Sequence, residues 1–349
     1  MIDYIIVGYT ISGLTFAFKL IKEKKDFVII DVPITNSTYQ SGAVLNPTIL
    51  KRYTVSWKGS EFMKFAKEFY SEFEKKYKIK VCENFLIHKY FLNEQEQNYW
   101  IEASGFKSLE NYLDKDIITN SDKHFLLKNG YGILKNTIKI DPKLILDTFK
   151  MNFGKDNFIN KNFNHSKLKI YDEYVKYGNI TSRKIVFCEG IQIKNNIFFN
   201  YLPLTRLKGE FLLIKAPKLS NKHIIKSSIY LIPLHNGLFW VGSTFNFNDT
   251  SSNKTIEGYN LLVSKLNSLI SVPYEIIEHK VGLRPVVKDR RPLLGRHPKY
   301  KSLILFNGLG TRGLMTAPLL SKWLYEHIIN SKKLHNEISI DRFKNLYKN

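Results

Sequence analysis

The first thirty residues alternate between short apolar runs and a polar turn. Residues 3–7 are apolar and rich in β-branched side chains, as in a buried parallel strand. After a glycine-containing turn at 8–13, apolar residues recur at helical spacing through 14–21, and a second apolar run at 27–30 ends at Asp31. The pattern predicts a strand–helix–strand unit.

Further along, the pattern predicts two more helices and another buried strand. Residues 60–77 place their aromatic side chains on one stripe, which is typical of an amphipathic helix. Asp141 followed by Pro142 predicts a helix start, with an N-cap residue and a proline at the first helical position. The apolar run 185–188 predicts a strand, whereas 78–135 mixes short apolar runs with turns whose pairing the pattern does not fix.

The second half of the chain is predicted to be β structure followed by a repeat of the opening pattern. Residues 206–247 carry apolar runs on either side of a turn at 235–237, which predicts a hairpin. Residues 303–306 predict a strand that leads through a glycine-rich turn into a helix over about 316–329. The order predicts an α/β fold with a discontinuous Rossmann-like domain and an inserted, β-rich α+β domain.

A chain of 349 residues with 44% hydrophobic and 14% aromatic content is long and apolar enough for two globular domains. The predicted division assigns 1–77, 141–205 and 283–349 to the Rossmann-like domain, and 78–140 and 206–282 to the inserted substrate domain.

The cysteines and the apolar segments indicate the cellular compartment in which the protein is expected. Cys82 and Cys188 are too far apart, and too isolated, to indicate a disulfide framework or a zinc site, which favours a reduced, cytoplasmic location. The apolar stretch 4–18 is too short to cross a bilayer and lacks the flanks of a signal peptide, so no membrane segment is predicted. The nine histidines form no metal-binding motif, and no metal is predicted.

A net charge of +22 admits two interpretations. It indicates either a polyanionic partner such as RNA or the compositional drift of a chain rich in Lys, Ile and Asn. The basic residues occur singly or in pairs without a long basic run, which favours drift. The charge alone does not decide between them.

The first turn, Gly8-Tyr9-Thr10-Ile11-Ser12-Gly13, stands where a dinucleotide-binding motif belongs. Gly8 would supply the tight turn, Gly13 the close packing of helix on strand, and the helix N-terminus a site for a pyrophosphate. Asp31 lies where an acid accepts hydrogen bonds from a ribose. Thr10 departs from the motif because a β-branched residue replaces the glycine that allows close approach of the phosphate. A tight turn that binds no ligand therefore remains an alternative.

Several segments, in order, resemble the D-amino-acid oxidase superfamily, which includes glycine oxidase and sarcosine oxidase. The matching segments are Ser41–Pro47, Val186–Gly190, Lys208–Glu210, Tyr230–Pro233, Val241–Thr244, Gly282–Pro285, Pro292–Gly295, Asn307–Gly313 and Ala317–Pro318. The resemblance covers nearly the whole chain and is strongest from 282 to 324. It implies that the predicted Rossmann-like domain binds FAD.

The resemblance also implies a chemistry. Members of the family bind FAD and transfer hydride from the α-carbon of an amino acid to flavin N5, giving an imine that hydrolyses. Arg284 occupies the family's position for binding the substrate carboxylate, a role that suits the two parallel donors of a guanidinium. A structural salt bridge is the alternative for Arg284. Tyr230 would line the substrate pocket or pack in the core.

The remaining predicted site residues belong to the cofactor. The turn 308–313 would place a helix N-terminus near the pyrimidine end of the flavin, and Arg312 would either add charge there or be a solvated surface residue. The predicted cofactor-binding residues are Gly8, Thr10, Ser12, Gly13, Asp31, Ser41, Gly42, Gly190, Gly308, Gly310, Thr311, Arg312, Gly313 and Leu314.

The sequence supports three alternative functions. The first is an FAD-dependent oxidoreductase, an enzyme that oxidises the C–N bond of a glycine-like primary or secondary amine. The second is tRNA modification, because the run from Gly308 to Leu320 is similar to the FAD domain of the bifunctional tRNA-modifying proteins that remove a carboxymethyl group from a wobble uridine. The third, motivated by Thr10 and by Glu189 near the expected cofactor path, is a non-catalytic binding protein that keeps the fold.

Overall fold

The computed structural model describes residues 1–32, 37–154 and 157–347. In chain order its strands are β1 (Ile2–Val7), β2 (Phe27–Asp31), β3 (Val44–Leu45), β4 (Thr48–Ile49), β5 (Thr54–Val55), β6 (Cys82–Tyr90), β7 (Leu113–Ile118), β8 (Tyr131–Ile140), β9 (Phe158–Asn160), β10 (Leu168–Ile170), β11 (Val175–Tyr177), β12 (Ile180–Phe187), β13 (Leu204–Lys215), β14 (Ile224–Lys226), β15 (Tyr230–Pro233), β16 (Leu238–Gly242), β17 (Glu275–Val287), β18 (Leu293–Arg296) and β19 (Leu303–Asn307). Its α-helices are α1 (Ile11–Lys22), α2 (Gly59–Tyr77), α3 (Glu94–Ser104), α4 (Pro142–Phe153), α5 (Ile256–Asn267) and α6 (Gly313–Asn330).

The first large sheet is built around the opening strand–helix–strand unit. Its order is β10-β11-β12-β1-β2-β9, and β19 also pairs with β12 and with β18. β1, β2, β9, β12 and β19 pair in parallel, so their carboxyl ends lie at one edge. The predicted strands at 3–7, 27–30, 185–188 and 303–306 all fall in this sheet.

The second large sheet contains the strands that the sequence pattern left unpaired. Its order is β17-β13-β16-β15-β14-β6-β8-β3, with β7 beside β8. β15 and β16 form the predicted hairpin around 235–237, whereas β14 pairs with β6 in parallel across more than a hundred residues of sequence. β13 and β17 are paired over twelve residues, a length that the apolar pattern did not reveal.

Two of the predicted domain boundaries lie within the second sheet. The boundaries at 205/206 and 282/283 fall inside β13 and β17, which are paired with each other. β3, in the predicted first domain, pairs with β8 of the second sheet. The division into domains stays a prediction, and a cut at either boundary would break a strand.

The helices follow the apolar stripes. Phe62, Phe69 and Phe73 of α2 are buried, and the stripe predicted at 60–77 is confirmed. Asp141 caps α4 as predicted, because its side chain accepts a hydrogen bond from the N–H of Leu144 at 2.9 Å. Within the described ranges, no helix is sufficiently long and apolar to cross a bilayer.

Helix α6 begins at Gly313, three residues earlier than predicted, and contains Pro318. Proline has no N–H to donate to the carbonyl four residues earlier, which belongs to Leu314. The hydroxyl of Tyr70 on α2 donates to that carbonyl at 2.7 Å. The contact satisfies a buried acceptor and fixes α2 against the start of α6, next to the cavity described below.

Candidate functional site

A cavity of about 500 Å³ lies where the start of α1, the start of α6 and one face of the second sheet meet. Twelve of the predicted site residues line it: Thr10, Ser12, Ser41, Gly42, Gly190, Tyr230, Arg284, Gly310, Thr311, Arg312, Gly313 and Leu314. Gly8, Gly13, Asp31 and Gly308 are not among its lining residues. The structure therefore brings together residues from both ends of the sequence and from its middle.

Gly8 and Gly13 shape the first turn without lining the cavity. Gly8 has a φ of +96°, and a Cβ on it would lie 2.6 Å from the carbonyl oxygen of Cys188 at the end of β12. A Cβ on Gly13 would overlap with the carbonyl oxygen of Gly8. Both glycines are thus required for helix α1 to approach the sheet this closely.

Asp31 fixes the same turn from β2. Its carboxylate accepts hydrogen bonds from the N–H groups of Tyr9 at 2.7 Å and Val32 at 2.9 Å. Burial raises the pKa of the Asp31 carboxyl, and these two N–H groups partly offset the effect. The observed contacts position the turn, whereas a contact to a ribose stays a prediction.

Thr10, at the N-cap of α1, has an extended backbone with φ −104° and ψ −177°. Its hydroxyl donates to the carbonyl of Cys188 at 2.9 Å and lies 2.8 Å from the hydroxyl of Ser12. The side chain is therefore held against the end of β12. Its methyl carbon would stand 3.7 Å from a Cβ on Gly190, so the space beside Gly190 remains open.

Glu189 does not face the cavity. Its carboxylate is 2.7 Å from Nε2 of His165 and accepts a hydrogen bond from the side-chain amide of Asn196 at 2.7 Å. The side chain is only 6% exposed and is absent from the cavity lining. Glu189 is therefore paired with His165 and Asn196 away from the cavity lining, and its position gives no support to the non-catalytic alternative.

Arg312 fastens the segment after β3 to the start of α6. Its guanidinium donates to the carbonyl of Asn46 at 2.6 Å, the carbonyl of Thr48 at 2.9 Å and the hydroxyl of Ser56 at 3.4 Å. Burial lowers the pKa of Arg312. The alternative of a solvated surface arginine is wrong, since this side chain lines the cavity and is bonded to buried carbonyls.

Arg284 on β17 is half-buried, and its guanidinium is incompletely paired. Nη2 donates to the hydroxyl of Ser243 at 2.9 Å, and the guanidinium stacks 5.2 Å from the ring centre of Phe245. Nη1 is buried and has no hydrogen-bond partner among the described residues. Burial lowers the pKa of Arg284 to about 10, so the group stays charged at neutral pH. Gly209 makes room for it, because a Cβ there would overlap with the guanidinium.

Tyr230 on β15 lies on the cavity wall and also packs against the hydrophobic core of the second sheet. Burial raises the pKa of its hydroxyl, and Arg312 and the side chain of Asn46 partly offset the shift. The ammonium of Lys226 lies 4.7 Å from its ring centre.

Lys226 and Gln40 are among the polar cavity residues that were not predicted. Lys226 lines the cavity, and its Nζ donates to the carbonyl of Ser227 at 2.6 Å. Gln40 lines it as well, and its Oε1 is buried with no partner among the described residues. A lysine directly after the apolar pair Ile224–Ile225 was the only signal in the sequence for Lys226, and Gln40 had none.

The cavity has the electrostatics of an anion-binding site. Within the described part of the chain, its lining holds four cations (Lys51, Lys226, Arg284 and Arg312) and no Asp or Glu. The N-termini of α1 and α6 both face it, and neither N-cap residue caps its helix with its own side chain, although the N–H of Ile11 donates to the hydroxyl of Thr38 at 3.3 Å. The dipoles of both helices favour negatively charged ligand groups. Beside Gly190 and Gly310 the nearest atom would be 3.7 Å from an added Cβ, so the backbone is open to a ligand there.

The Rossmann-like sheet is built from separate parts of the chain, and two helix N-termini face one cationic cavity. This arrangement is typical of enzymes that bind a dinucleotide cofactor. The sequence matches the family described as FAD dependent oxidoreductase (DAO) over residues 3–327, and the chain belongs to this family. The predictions of an α/β fold, an FAD cofactor and an oxidoreductase are confirmed.

Two curated relatives match different shares of this chain. The glycine oxidase of Bacillus subtilis (strain 168) is 22% identical over 259 residues, which cover 69% of this chain and 68% of that protein. The tRNA 5-methylaminomethyl-2-thiouridine biosynthesis bifunctional protein MnmC of Nitrosospira multiformis is 29% identical over 168 residues. That match covers 43% of this chain and only 27% of the bifunctional protein.

Solved structures show the same fold. Iminodiacetate oxidase from Chelativorans sp. BNC1 has a TM-score of 0.80 at 16% identity, with 97% of this chain and 99% of that chain covered. Glycine oxidase from Bacillus cereus ATCC 14579 has a TM-score of 0.76 at 15% identity, with 95% and 96% covered. At such identities the likeness establishes the architecture and not the substrate.

Proposed function

We propose that this chain oxidises the C–N bond of a glycine-like primary or secondary amine. The observation that carries the proposal is the buried guanidinium of Arg284, with Nη1 left without a partner among the described residues at the wall of the cofactor cavity. A buried charged donor without a partner is costly, so a ligand that pairs with it binds strongly. The planar fork of an arginine fits a carboxylate through two parallel hydrogen bonds.

The residues of the cavity fit FAD. The N-termini of α1 and α6 suit the anionic parts of the cofactor, and Thr10, Ser12, Ser41, Gly42, Gly190 and Gly310 to Leu314 line the space between them. Gly8, Gly13, Asp31 and Gly308 support this site by shaping its turns. When bound, FAD accepts the two electrons that the substrate gives up as its amine C–H bond breaks.

The protein's own groups orient the amine and exclude water. Arg284 holds the carboxylate, Ser243 fixes the rotation of the guanidinium, and the ring of Phe245 packs against it. The cavity lining, over the described residues, offers no carboxylate or imidazole to remove a proton from the substrate. The amine must therefore bind in its neutral form, and the rate of reduction should rise with pH as the free amine becomes available.

The flavin spectrum tests this proposal directly. The purified protein should carry bound flavin, and anaerobic addition of glycine, N-methylglycine or iminodiacetate should bleach its absorbance. Hydrolysis of the resulting imine should release glyoxylate or formaldehyde, which can be quantified. Bound flavin that no small amine or amino acid reduces would overturn the proposed function.

A second candidate is the removal of a carboxymethyl group from a modified wobble uridine in tRNA. The net charge of +22 and the likeness to MnmC favour it, as does Phe245, which lines the cavity while remaining 62% exposed. An exposed aromatic ring suits the stacking of an unpaired base. The bond to be broken is again the C–N bond of an N-substituted glycine, so Arg284 would have the same role.

Competition between the two substrates separates the candidates. For a tRNA-modifying enzyme, tRNA carrying carboxymethylaminomethyl uridine should reduce the flavin at far lower concentration than N-methylglycine does, and mass spectrometry should show loss of the carboxymethyl group. Comparable reduction by small amines, with no change in the tRNA, would eliminate this candidate.

A further inference from the structure

Lys226 is a largely buried cation in the cavity wall to which the proposed reaction assigns no part. We propose that it binds a second anionic group of the substrate, so that the substrate is an N-substituted glycine bearing two carboxylates rather than one. This inference rests on the proposed function, since Arg284 is taken to hold the first carboxylate.

The register of the second sheet places Lys226 on the face that lines the cavity. Lys226 of β14 is directly opposite Tyr230 of β15, and Tyr230 is directly opposite Gly242 of β16. Gly242 is in turn opposite Phe211 of β13. Residues directly opposite one another share a face of a sheet, and all four line the cavity.

Arg284 and Lys226 extend over the same face of the sheet from strands that three others separate. The guanidinium of Arg284 extends from β17 over Gly209 of β13 and bonds the hydroxyl of Ser243, directly after β16. The ammonium of Lys226 extends from β14 over the ring of Tyr230 on β15. Neighbouring strands are about 5 Å apart, so β17 and β14 are about 20 Å apart, and the inward reach of both side chains leaves a gap on the order of 10 Å between the charges. A small amine with two carboxymethyl groups spans a gap of this size.

Lys226 lacks the anionic partner that its neighbour has. Nζ of Lys89 on β6 lies 2.6 Å from the carboxylate of Glu96. No carboxylate among the described residues forms a salt bridge with Lys226, whose contacts are the carbonyl of Ser227 and the Tyr230 ring. Removing an ammonium from water without an anionic partner is unfavourable, and a ring contact recovers only part of the loss. A bound carboxylate would supply the missing partner.

The test compares two amines and two simple acids on the holoenzyme. N-methylglycine and iminodiacetate share the proposed reaction but differ by one carboxylate. Propionate and glutarate contain no amine, and their binding can be followed by the shift in flavin absorbance without turnover. Wild-type protein should prefer iminodiacetate to N-methylglycine, and glutarate to propionate.

Substitutions then assign the preference to Lys226. Lys226→Met should weaken glutarate binding and raise the KM for iminodiacetate by about 10- to 100-fold, as expected for losing a charged hydrogen bond, while changing both values for the monocarboxylates less than about twofold. Lys226→Arg should restore most of the preference. Lys184→Met, which removes a half-buried lysine from the middle of β12, outside the cavity lining, controls for net charge.

The possible outcomes distinguish failure of this inference from failure of the proposed function. Equal losses for the one- and two-carboxylate ligands would show that Lys226 acts on the bound flavin or on folding, and would overturn the inference while leaving the proposed function intact. A wild-type protein without preference for the second carboxylate would overturn it as well. If no amine reduces the flavin, the proposed function fails, yet glutarate and propionate binding still decides whether Lys226 is an anion site.

Discussion

Two half-buried arginines line the same cavity, and their surroundings differ. Arg312, at the start of α6, donates to two carbonyls and a hydroxyl of the segment 46–56. Arg284, on β17, donates to one hydroxyl, and its Nη1 has no partner among the described residues. A guanidinium with many protein acceptors connects parts of the chain, whereas one left incomplete is available to a ligand.

We therefore expect a structural role for Arg312 and a ligand-binding role for Arg284. Removing Arg312 would leave buried carbonyls without a donor, so its effect should be on stability. Removing Arg284 would take away a buried charge that no carboxylate of the described chain compensates, so its effect should be on substrate.

Arg284→Met should lower kcat/KM for a glycine-like amine by about 1000-fold, since a charge-assisted bidentate pair with the substrate carboxylate is lost. The free energy of unfolding in urea should change by less than about 1 kcal/mol, because the variant no longer buries an uncompensated charge. Stopped-flow flavin reduction and urea titration measure the two quantities. A large loss of stability with unchanged reduction kinetics would reverse the assignment.

Arg312→Met should show the opposite pattern. The carbonyls of Asn46 and Thr48 lose their donor, and the free energy of unfolding should fall by about 2–4 kcal/mol. Arg312→Lys should recover part of this, because an ammonium reaches one carbonyl but not both. Molecules that retain flavin should keep a KM for the amine within about threefold of the wild type. A KM increase as large as that of Arg284→Met would place Arg312 at the substrate instead.

One glycine from each of the two turns sharpens the contrast between a closely packed and an open stretch of backbone. Gly8→Ala should destabilise the protein by about 2–3 kcal/mol and lower its flavin content, because the new Cβ meets the carbonyl of Cys188 at a positive φ. Gly310→Ala has a similar positive φ but open space around it, so about 1 kcal/mol is expected. Urea unfolding of both apoproteins measures the difference, and equal losses would contradict the steric argument.

The smallest expected effect is the pH dependence at Lys226. Burial lowers its pKa to about 8, Lys89 and Lys265 lower it as well, and Glu96 opposes them. The ammonium is charged below this pKa and neutral above it, so glutarate affinity should be constant between about pH 6 and 7, where both carboxyl groups are ionised, and fall up to about tenfold by about pH 9.

Propionate binding should stay flat over the same range, because Arg284 has a pKa of about 10. Absorbance titrations at several pH values measure both ligands. Lys226→Arg should abolish the difference between them, and a parallel fall for propionate would assign the titration to another group.

The first sheet could be predicted from local pattern, because each of its central strands is a short apolar run beside a glycine turn or helix. Arg284 and the turn 308–313 were found through their resemblance to a known family. Lys226 could not be found in this way, since its place in the cavity depends on the parallel pairing of β14 with β6, which lies about 140 residues earlier. No local periodicity encodes a pairing of that range.

The glycine motif shows a different limit of the sequence. Thr10 was read as an obstacle because a side chain stands where glycine is usual, yet its hydroxyl is bound to the carbonyl of Cys188 and its methyl leaves the space beside Gly190 open. The carbonyl that holds it belongs to a residue 178 positions away. Whether a bulky residue blocks a site depends on such distant partners.

The central place of β1 has a consequence for how the chain is made. β1 lies between β2, which follows it within thirty residues, and β12, which follows after about 170. During synthesis at about 5–20 residues per second, one edge of this apolar strand therefore waits roughly 8–30 seconds for its second neighbour. Throughout that interval the nascent chain presents an open strand edge of the kind that promotes aggregation, so the yield of folded protein should depend on translation rate and on chaperones that cover the edge.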